Sequence, residues 1–289
     1  MPKRDKSKTN IKNKLRRTNS RQPVKRIVSN NSGSIVNNVN KMKQIFSNYN
    51  PSGVANVLEK DIHLLDDFLE LASKNKIIAI DTETTGLDPI SDSLVGVGIY
   101  TPGMDALYIP LNHVSYISGV RIKGQVSVDY FKDFMNKLNS IDGLKCIYHN
   151  ATFDVRVIRW QLGISLGVYW DTFLGARLLN ENEPSSLKVQ WNKYINKGKE
   201  DDALKFGDIV GEGNFIFVPV DLAYKYAARD PKMTYELYEF QKPFLDGESE
   251  PCIRQNLVET SKLFRDIEVP MTLVVADMED NGIYVDCDY

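Results

Sequence analysis

Apolar residues recur along this chain at two spacings, and the switching between them sets out the architecture. Between 61 and 71, Ile62, Leu65, Phe68, Leu69 and Leu71 fall at helical spacing and predict a short amphipathic helix. Ile77, Ile78, Ala79 and Ile80 then form an unbroken apolar run. Lys76 bounds it on one side and Asp81, Glu83 and a Thr85-Gly86 turn on the other, which predicts a buried strand whose last residues emerge at a sheet edge. Further strands are predicted at 93–100 and 106–109, separated by Pro102-Gly103, and at 144–148. Helical periodicity marks 128–141, 151–162, 171–179, 185–195 and 221–240, and again 253–265 and 269–279. Three strands in succession, then strand and helix in alternation, then helices alone, is the order of an α/β domain with a mixed sheet flanked by helices.

The two ends of the chain depart from this pattern. Residues 1–26 hold eleven Lys or Arg against the single acid Asp5, so the formal net charge of −2 conceals a stretch of +10 and a remainder of −12. Such a stretch, nearly free of apolar residues and followed by Asn- and Ser-rich sequence, cannot bury enough surface to fold. A disordered basic arm over 1–53 is therefore expected, with packing from Val54 onward. It reads either as a plain solvated tail or as a salt-sensitive, sequence-independent tether to nucleic acid. At the other end Gly247 and Pro251 break the pattern, and 247–289 reads as a separate helical unit, cut short or docked on a partner, after a domain over 54–246.

At 289 residues the chain can hold one large domain with appendages. It has no apolar run of about 18 residues, so no membrane partner is expected, and no secretory signal. Cys146, Cys252 and Cys287 are odd in number and widely spaced, which argues against structural zinc or disulfides and fits a cytoplasmic location.

Residues two apart on a strand share a face, so Asp81 and Glu83 present paired carboxylates at the end of the first strand. Two anions so close repel unless a cation holds both ionised. Taken alone, such a pair is the ordinary solvated acid of a strand end. Downstream, however, Cys146-Ile147-Tyr148-His149-Asn150 leads through Phe153 to Asp154, an acid in the first turn of a helix after a strand. Helix capping is the competing reading for Asp154, although Asn150 suits the N-cap better by residue type. His149 could ligate a metal but reads more naturally as a hydrogen-bonded scaffold residue. Finally Tyr226 and Asp230, four apart in a predicted helix, share a face with Ala223 and Ala227, small residues that permit close backbone approach.

These three patterns in this order resemble the DEDD superfamily of 3′→5′ exonucleases, in the subclass with Tyr in its third motif. The resemblance is strongest to the proofreading domain of family-A DNA polymerases. It rests on Asp81-Thr82-Glu83-Thr84, Leu87-Asp88, Leu94-Val95-Gly96, Tyr108-Ile109-Pro110, Ser186-Leu187-Lys188 and Tyr226-Ala227-Ala228-Arg229-Asp230. Ile267-Glu268 with Pro270, and Met278-Glu279 with Gly282, are similar to the segment leading those enzymes into their polymerase domain. Arg229 departs from the acid usual at that position.

The resemblance implies a ribonuclease-H-like fold. It also implies two divalent ions, Mg²⁺ or Mn²⁺, held by Asp81, Glu83, Asp154 and Asp230, with Asp81 shared between them and Tyr226 orienting the attacking water. Thr84, Leu87, Asn150, Phe153 and Lys188 would contact a single-stranded or frayed DNA 3′ end, and Glu83 its terminal hydroxyl. The physics of phosphodiester cleavage asks for the same equipment: an activated water and neutralisation of phosphate and leaving-group charge, which paired hard cations supply. A polymerase portion is expected only on a separate or a longer chain. The alternatives are a ribonuclease D-like enzyme acting on RNA, and a non-catalytic nucleic-acid-binding or assembly module of a split polymerase.

Overall fold

The computed structural model describes residues 44, 49–197 and 214–285. All of these belong to one compact unit, Val39–Tyr289. The basic stretch 1–26, and with it the expectation of a disordered arm there, lies outside the described residues, as does Cys287.

Six strands build the sheet: β1 (Val54–Asn56), β2 (Ile77–Thr84), β3 (Leu94–Tyr100), β4 (Ala106–Pro110), β5 (Lys145–Tyr148) and β6 (Trp170–Asp171). Their order across the sheet is β1-β4-β3-β2-β5-β6. The three central strands β4, β3 and β2 run antiparallel, and β1, β5 and β6 add parallel pairings at the two sides. The expected mixed sheet is therefore present. The short edge strands β1 and β6 were not predicted, because two or three residues are too few to show an alternating pattern. Tyr49 is also buried, so packing begins upstream of Val54.

Among the described residues the main helices are α1 (His63–Asn75), α2 (Val128–Asn139), α3 (Ala151–Leu162), α4 (Thr172–Leu179), α5 (Leu187–Tyr194), α6 (Val220–Ala227) and α7 (Arg229–Leu245). They are followed by α8 (Glu250–Arg254), α9 (Val258–Leu263) and α10 (Val269–Asn281). Two single helices predicted from sequence are each broken. The stretch 221–240 divides at Ala228 into α6 and α7, and Pro231 falls in the first turn of α7, where its missing N–H costs nothing. The stretch 253–265 divides because Asn256 adopts a left-handed conformation, φ 57°.

The residue parity of β2 assigns its side chains to two layers. Ile78 and Ile80 join Val97 and Ile99 in a core closed by Phe68 of α1, Phe131 and Met135 of α2, and Val155 and Ile158 of α3. Ala79 points the other way, into a cluster with Trp170, Phe264 and the α7 residues Tyr238 and Leu245. Continuing the alternation, Asp81 and Glu83 face the α7 layer and Thr82 faces the α3 layer. A third cluster sets Tyr226, Leu222 and Ala227 of α6 against Val95 and Tyr108.

One local feature brings α6 and α7 close to the sheet. A Cβ on Gly98 would lie 2.4 Å from the Ala227 carbonyl oxygen and 3.1 Å from the Pro231 ring. The bare strand thus lets the junction between Tyr226 and Asp230 rest directly on β3. Nearby, the Tyr108 hydroxyl meets His113 Nε2 at 2.7 Å, while Gln125 bonds the His113 backbone N–H and C=O at 2.8 Å each. The C-terminal helix α10 lies against α3: Arg156 bonds Asp280 at 2.7 Å and also pairs with Glu279, and Arg159 meets Asp277 at 2.6 Å and Asp280 at 3.1 Å. Ala276 is fully buried at this contact.

Two predictions follow from this packing. Gly98→Ala should lower stability by about 1–3 kcal/mol, because a backbone carbonyl cannot give way as a flexible side chain can. An unchanged denaturant midpoint would contradict the close approach. The second concerns His113, whose imidazole burial pushes down to about 4. The unfolded chain binds this proton near pH 6.5 and the folded chain only near 4, so the stability due to neutral His113 is intact above 6.5 and is lost as pH falls toward 4. The slope is at most about 1.4 kcal/mol per pH unit. Melting curves from pH 6.5 to 4 should fall less steeply for His113→Gln than for the wild type.

Candidate active site

The site forms where β2 outruns its neighbour. β5 pairs only with residues 77 to 79 of β2, so beyond Ala79 the edge of β2 that faces β5 is open. The chain leaving β5 turns at Asn150, which is in the left-handed region at φ 72°, and enters α3 directly. This puts Asp154, in the first turn of α3, against the open edge. Its Oδ1 accepts hydrogen bonds from the Thr82 backbone N–H at 2.9 Å and from the Thr82 hydroxyl at 2.6 Å. A carboxylate from the α3 layer thereby reaches the edge of the strand whose opposite face carries Asp81 and Glu83. On the other flank of β2, the pairing with β3 slips between Glu83 and Thr84. Bulges of this kind re-aim side chains at the end of a ladder.

Asp230 completes the group from the N-terminal turn of α7 and is buried. The electrostatics show that the four acids share one neighbourhood. Asp81 is raised well above the usual carboxylate range, first by burial and then by the charges of Asp154, Glu83 and Asp230, against the opposing charge of Lys188. Glu83 is raised likewise by burial and by Asp230 and Asp154, again opposed by Lys188. Burial pushes Asp154 up to about 7 despite its bonds from Thr82. Tyr226, also buried, has its hydroxyl pushed well above the usual range by burial and by the charges of Asp230, Glu83 and Asp81. Its ring lies 6.1 Å from that of Phe215.

Lys188, at the start of α5, lies among the acids. Its ammonium is 3.2 Å from Asp230 Oδ2 and 3.7 Å from the centre of the Tyr226 ring. The remaining sequence candidates surround the group. Leu87 is 90% exposed at the tip of the turn after β2, and that turn is tightened by the Thr84 hydroxyl donating to the Gly86 carbonyl at 2.6 Å. Phe153 is partly buried against the α3-side core, and Asn150 is exposed.

One expectation about helix entry needs revision. Asn150 occupies the N-cap position of α3 but makes no side-chain cap. That work is done by Asp171, whose carboxylate accepts from the Asn150 N–H at 3.0 Å and the Ala151 N–H at 2.8 Å, and also from Phe173 and Leu174 at the start of α4. Asp171 thus caps two helices at once, and only its position at a strand-to-helix junction hinted at this. His149 is a scaffold residue, with Nδ1 2.9 Å from the Thr172 hydroxyl. Thr82 and Gly98 were also missed, since neither type signals chemistry by itself.

The donor set suits a hard divalent cation. It is all carboxylate oxygen, which favours Mg²⁺ or Mn²⁺ over zinc. Asp230 Oδ1 is buried without a hydrogen-bond partner among the described residues, a demand that a cation would meet. With the side chains as they stand, no three His, Cys, Asp or Glu among the described residues are grouped so as to hold one ion. The acids are within electrostatic reach of one another, and Lys188 stands beside Asp230.

The family model of a 3′-5′ exonuclease matches residues 56–245. The chain belongs to this family. Among similar proteins, DNA polymerase I of Borreliella burgdorferi is 28% identical over 230 residues, which is 78% of this chain and 22% of that protein. DNA polymerase I of Synechocystis sp. is 30% identical over 220 residues, 73% of this chain and 20% of that protein. The exonuclease chain thus spans about a fifth of the length of these curated relatives. Its fold is similar to that of Pol1 from M. smegmatis in complex with DNA primer-template and dNTP (TM-score 0.55, 16% identity, 80% of this chain and 33% of that one). It is similar also to Brucella melitensis NrnC bound to pGG (TM-score 0.51, 17% identity, 75% of this chain and 91% of that one). The mixed sheet with helices on both faces is the ribonuclease-H-like arrangement expected from sequence. No described helix is long and apolar enough to cross a membrane.

Removing the double cap should expose its importance. Asp171→Ala leaves the α3 and α4 entries without their acceptor and should cost about 1–4 kcal/mol, the sum of two caps. Chemical denaturation measures this, and a loss below about 0.5 kcal/mol would show that water replaces the carboxylate.

Proposed function

We propose that this chain removes nucleotides from DNA 3′ ends by hydrolysing the terminal phosphodiester, as the proofreading part of a family-A DNA polymerase. One observation carries the reading: Asp154, bonded to Thr82 between Asp81 and Glu83, and Asp230, bonded to Lys188 over the Tyr226 ring, bring four acids from three elements within electrostatic reach of one another. Such a concentration of buried negative charge has no structural advantage of its own, and it suits a site built to hold cations.

Asp81, Glu83, Asp154 and Asp230 would hold two divalent ions, whose chemistry is to acidify a water and to neutralise charge on the phosphate and leaving oxygen. The protein's other contributions are positional. The Tyr226 hydroxyl, held protonated by its surroundings, orients the attacking water by hydrogen bonding and does not act as its base. Thr82 fixes the Asp154 carboxylate from one side. Leu87, which is exposed at a turn tip, wedges beside the terminal base, Phe153 stacks on it, and Asn150 offers its amide. Thr84 and Lys188 complete the contacts to the strand. Stacking and wedging need no base sequence, which suits a frayed end of any composition.

A polymerase portion, on the same or a separate chain, belongs to this proposal. It is supported by the polymerase relatives and by exposed apolar side chains on and beside α10, namely Ile267, Met271, Val274 and Met278.

The test is degradation of 5′-labelled single-stranded DNA in Mg²⁺. Wild type should produce a ladder shortening from the 3′ end, abolished by EDTA. Asp81→Ala should slow it by about a hundredfold or more, equivalent to the loss of at least ~2.7 kcal/mol of transition-state stabilisation. RNA laddered in preference to DNA would transfer the activity to the ribonuclease class, and binding without laddering would leave a non-catalytic module.

A further inference from the structure

Lys188 is placed where a metal-binding acid cluster would not be expected to tolerate a permanent cation. Its ammonium pairs with Asp230 Oδ2 at 3.2 Å and lies 3.7 Å above the Tyr226 ring. The other oxygen of the same carboxylate, Asp230 Oδ1, is buried with no hydrogen-bond partner among the described residues. Asp230 is therefore half satisfied by the protein. Lys188 holds Oδ2, the Tyr226 hydroxyl also hydrogen-bonds the carboxylate, and Oδ1 makes no bond among the described residues.

We infer that Lys188 is a built-in counter-cation, which holds the acid cluster together when no divalent ion is bound and must leave Asp230 for one to bind. This rests on the metal-site reading above and assigns Lys188 a second task besides its contact to DNA. Two further points support it. The side chain is 22% exposed against 10% for Asp230, so the ammonium has a route to solvent while the carboxylate stays in place. The tether is also flexible: Lys presents a point charge on a four-carbon stem, with no planar fork to lock it onto one carboxylate.

The logic is one of exchange. Buried carboxylates in mutual repulsion need positive charge to remain ionised. A fixed Arg would supply it but would compete with divalent ions permanently. A lysine that can be released supplies it only while the ions are missing. Once displaced, its ammonium stays tethered beside the site, where it can meet a phosphate oxygen of the bound strand.

The experiment measures Mn²⁺ binding without DNA, by electron paramagnetic resonance of free Mn²⁺ or by calorimetry, for the intact chain and for Lys188→Met. Melting in EDTA first establishes that the variant is folded and is expected to show it less stable than the wild type. The variant should then bind Mn²⁺ more tightly, on the order of tenfold, which is the worth of one charge-assisted hydrogen bond no longer to be broken. Equal affinities would overturn the inference while leaving Lys188 as a simple phosphate contact. Weaker binding by the variant would overturn it too, by showing that Lys188 supports the ligands and does not compete with the ion. Absence of Mn²⁺ binding in both proteins would reject the metal-site reading itself, and this inference with it. Lys188→Gln provides a second neutral side chain and should behave as Met does.

Discussion

Like charges brought together out of water repel, and in this protein the arrangement of the sheet depends on withstanding that repulsion. Asp81, Glu83, Asp154 and Asp230 come from two strand positions and two helices, and burial, with their mutual repulsion added to it, lifts Asp81 and Glu83 well above the usual carboxylate range. A chain folding for stability alone would replace such a group with apolar residues or bonded pairs. The fold instead spends rigid elements on each member. Asp154 is fixed by two bonds from Thr82, α3 is capped by Asp171, and the α6–α7 junction lies on the bare face of Gly98.

The means of convergence is a strand that is longer than its parallel neighbour. Because β5 ends opposite Ala79, the remaining residues of β2 have a free edge, and both layers of the protein can reach it. Asp81 and Glu83 face the α7 layer by parity, and Asp154 comes from the α3 layer through the gap. The same gap explains why Thr82, pointing away from its acidic neighbours, still contributes: its backbone N–H has no strand partner on that side and turns to a carboxylate instead. A sheet fully paired to the ends of its strands would leave no place for the fourth acid.

Most of this was legible in the sequence where the signal was local and periodic. The apolar run before Asp81 and the alternation that pairs it with Glu83 both follow from the two-residue repeat of a strand. The helix after Asn150 likewise follows from the 3.6-residue repeat. The small residues flanking Tyr226 anticipated close packing, although the partner surface, Gly98, could not be named because a glycine in a strand has several ordinary explanations. What could not be read was set by tertiary pairing. The strands β1 and β6 exist only through parallel neighbours; the break of the helix over 221–240 at Ala228, by contrast, had a local signal in Pro231, which disfavours a continuous helix. Asn150 was the better N-cap by residue type, yet its left-handed backbone turns the side chain away from the cap, and an aspartate 21 residues downstream takes its place. Residue type ranks candidates for a role; the backbone angle decides among them.

The helix that carries Asp154 is also tied to the C-terminal segment. Asp171 holds its first turn, and one turn on, Arg156 and Arg159 bind Asp277, Glu279 and Asp280 of α10. Asp280 bridges both arginines and its side chain is only 11% exposed, so these are not the freely solvated pairs that contribute little. The segment after Gly247, which the sequence set apart as a separate unit, therefore lies along the element that positions an acid of the site. Its outward face still carries Met271, Val274 and Met278 exposed. A partner seated on that face would bear on α10, and α10 is joined to α3 by charge pairs whose geometry changes if either helix moves. The acid cluster and the C-terminal surface are thus joined through α3 and α10, with Asp154 in the first turn of α3.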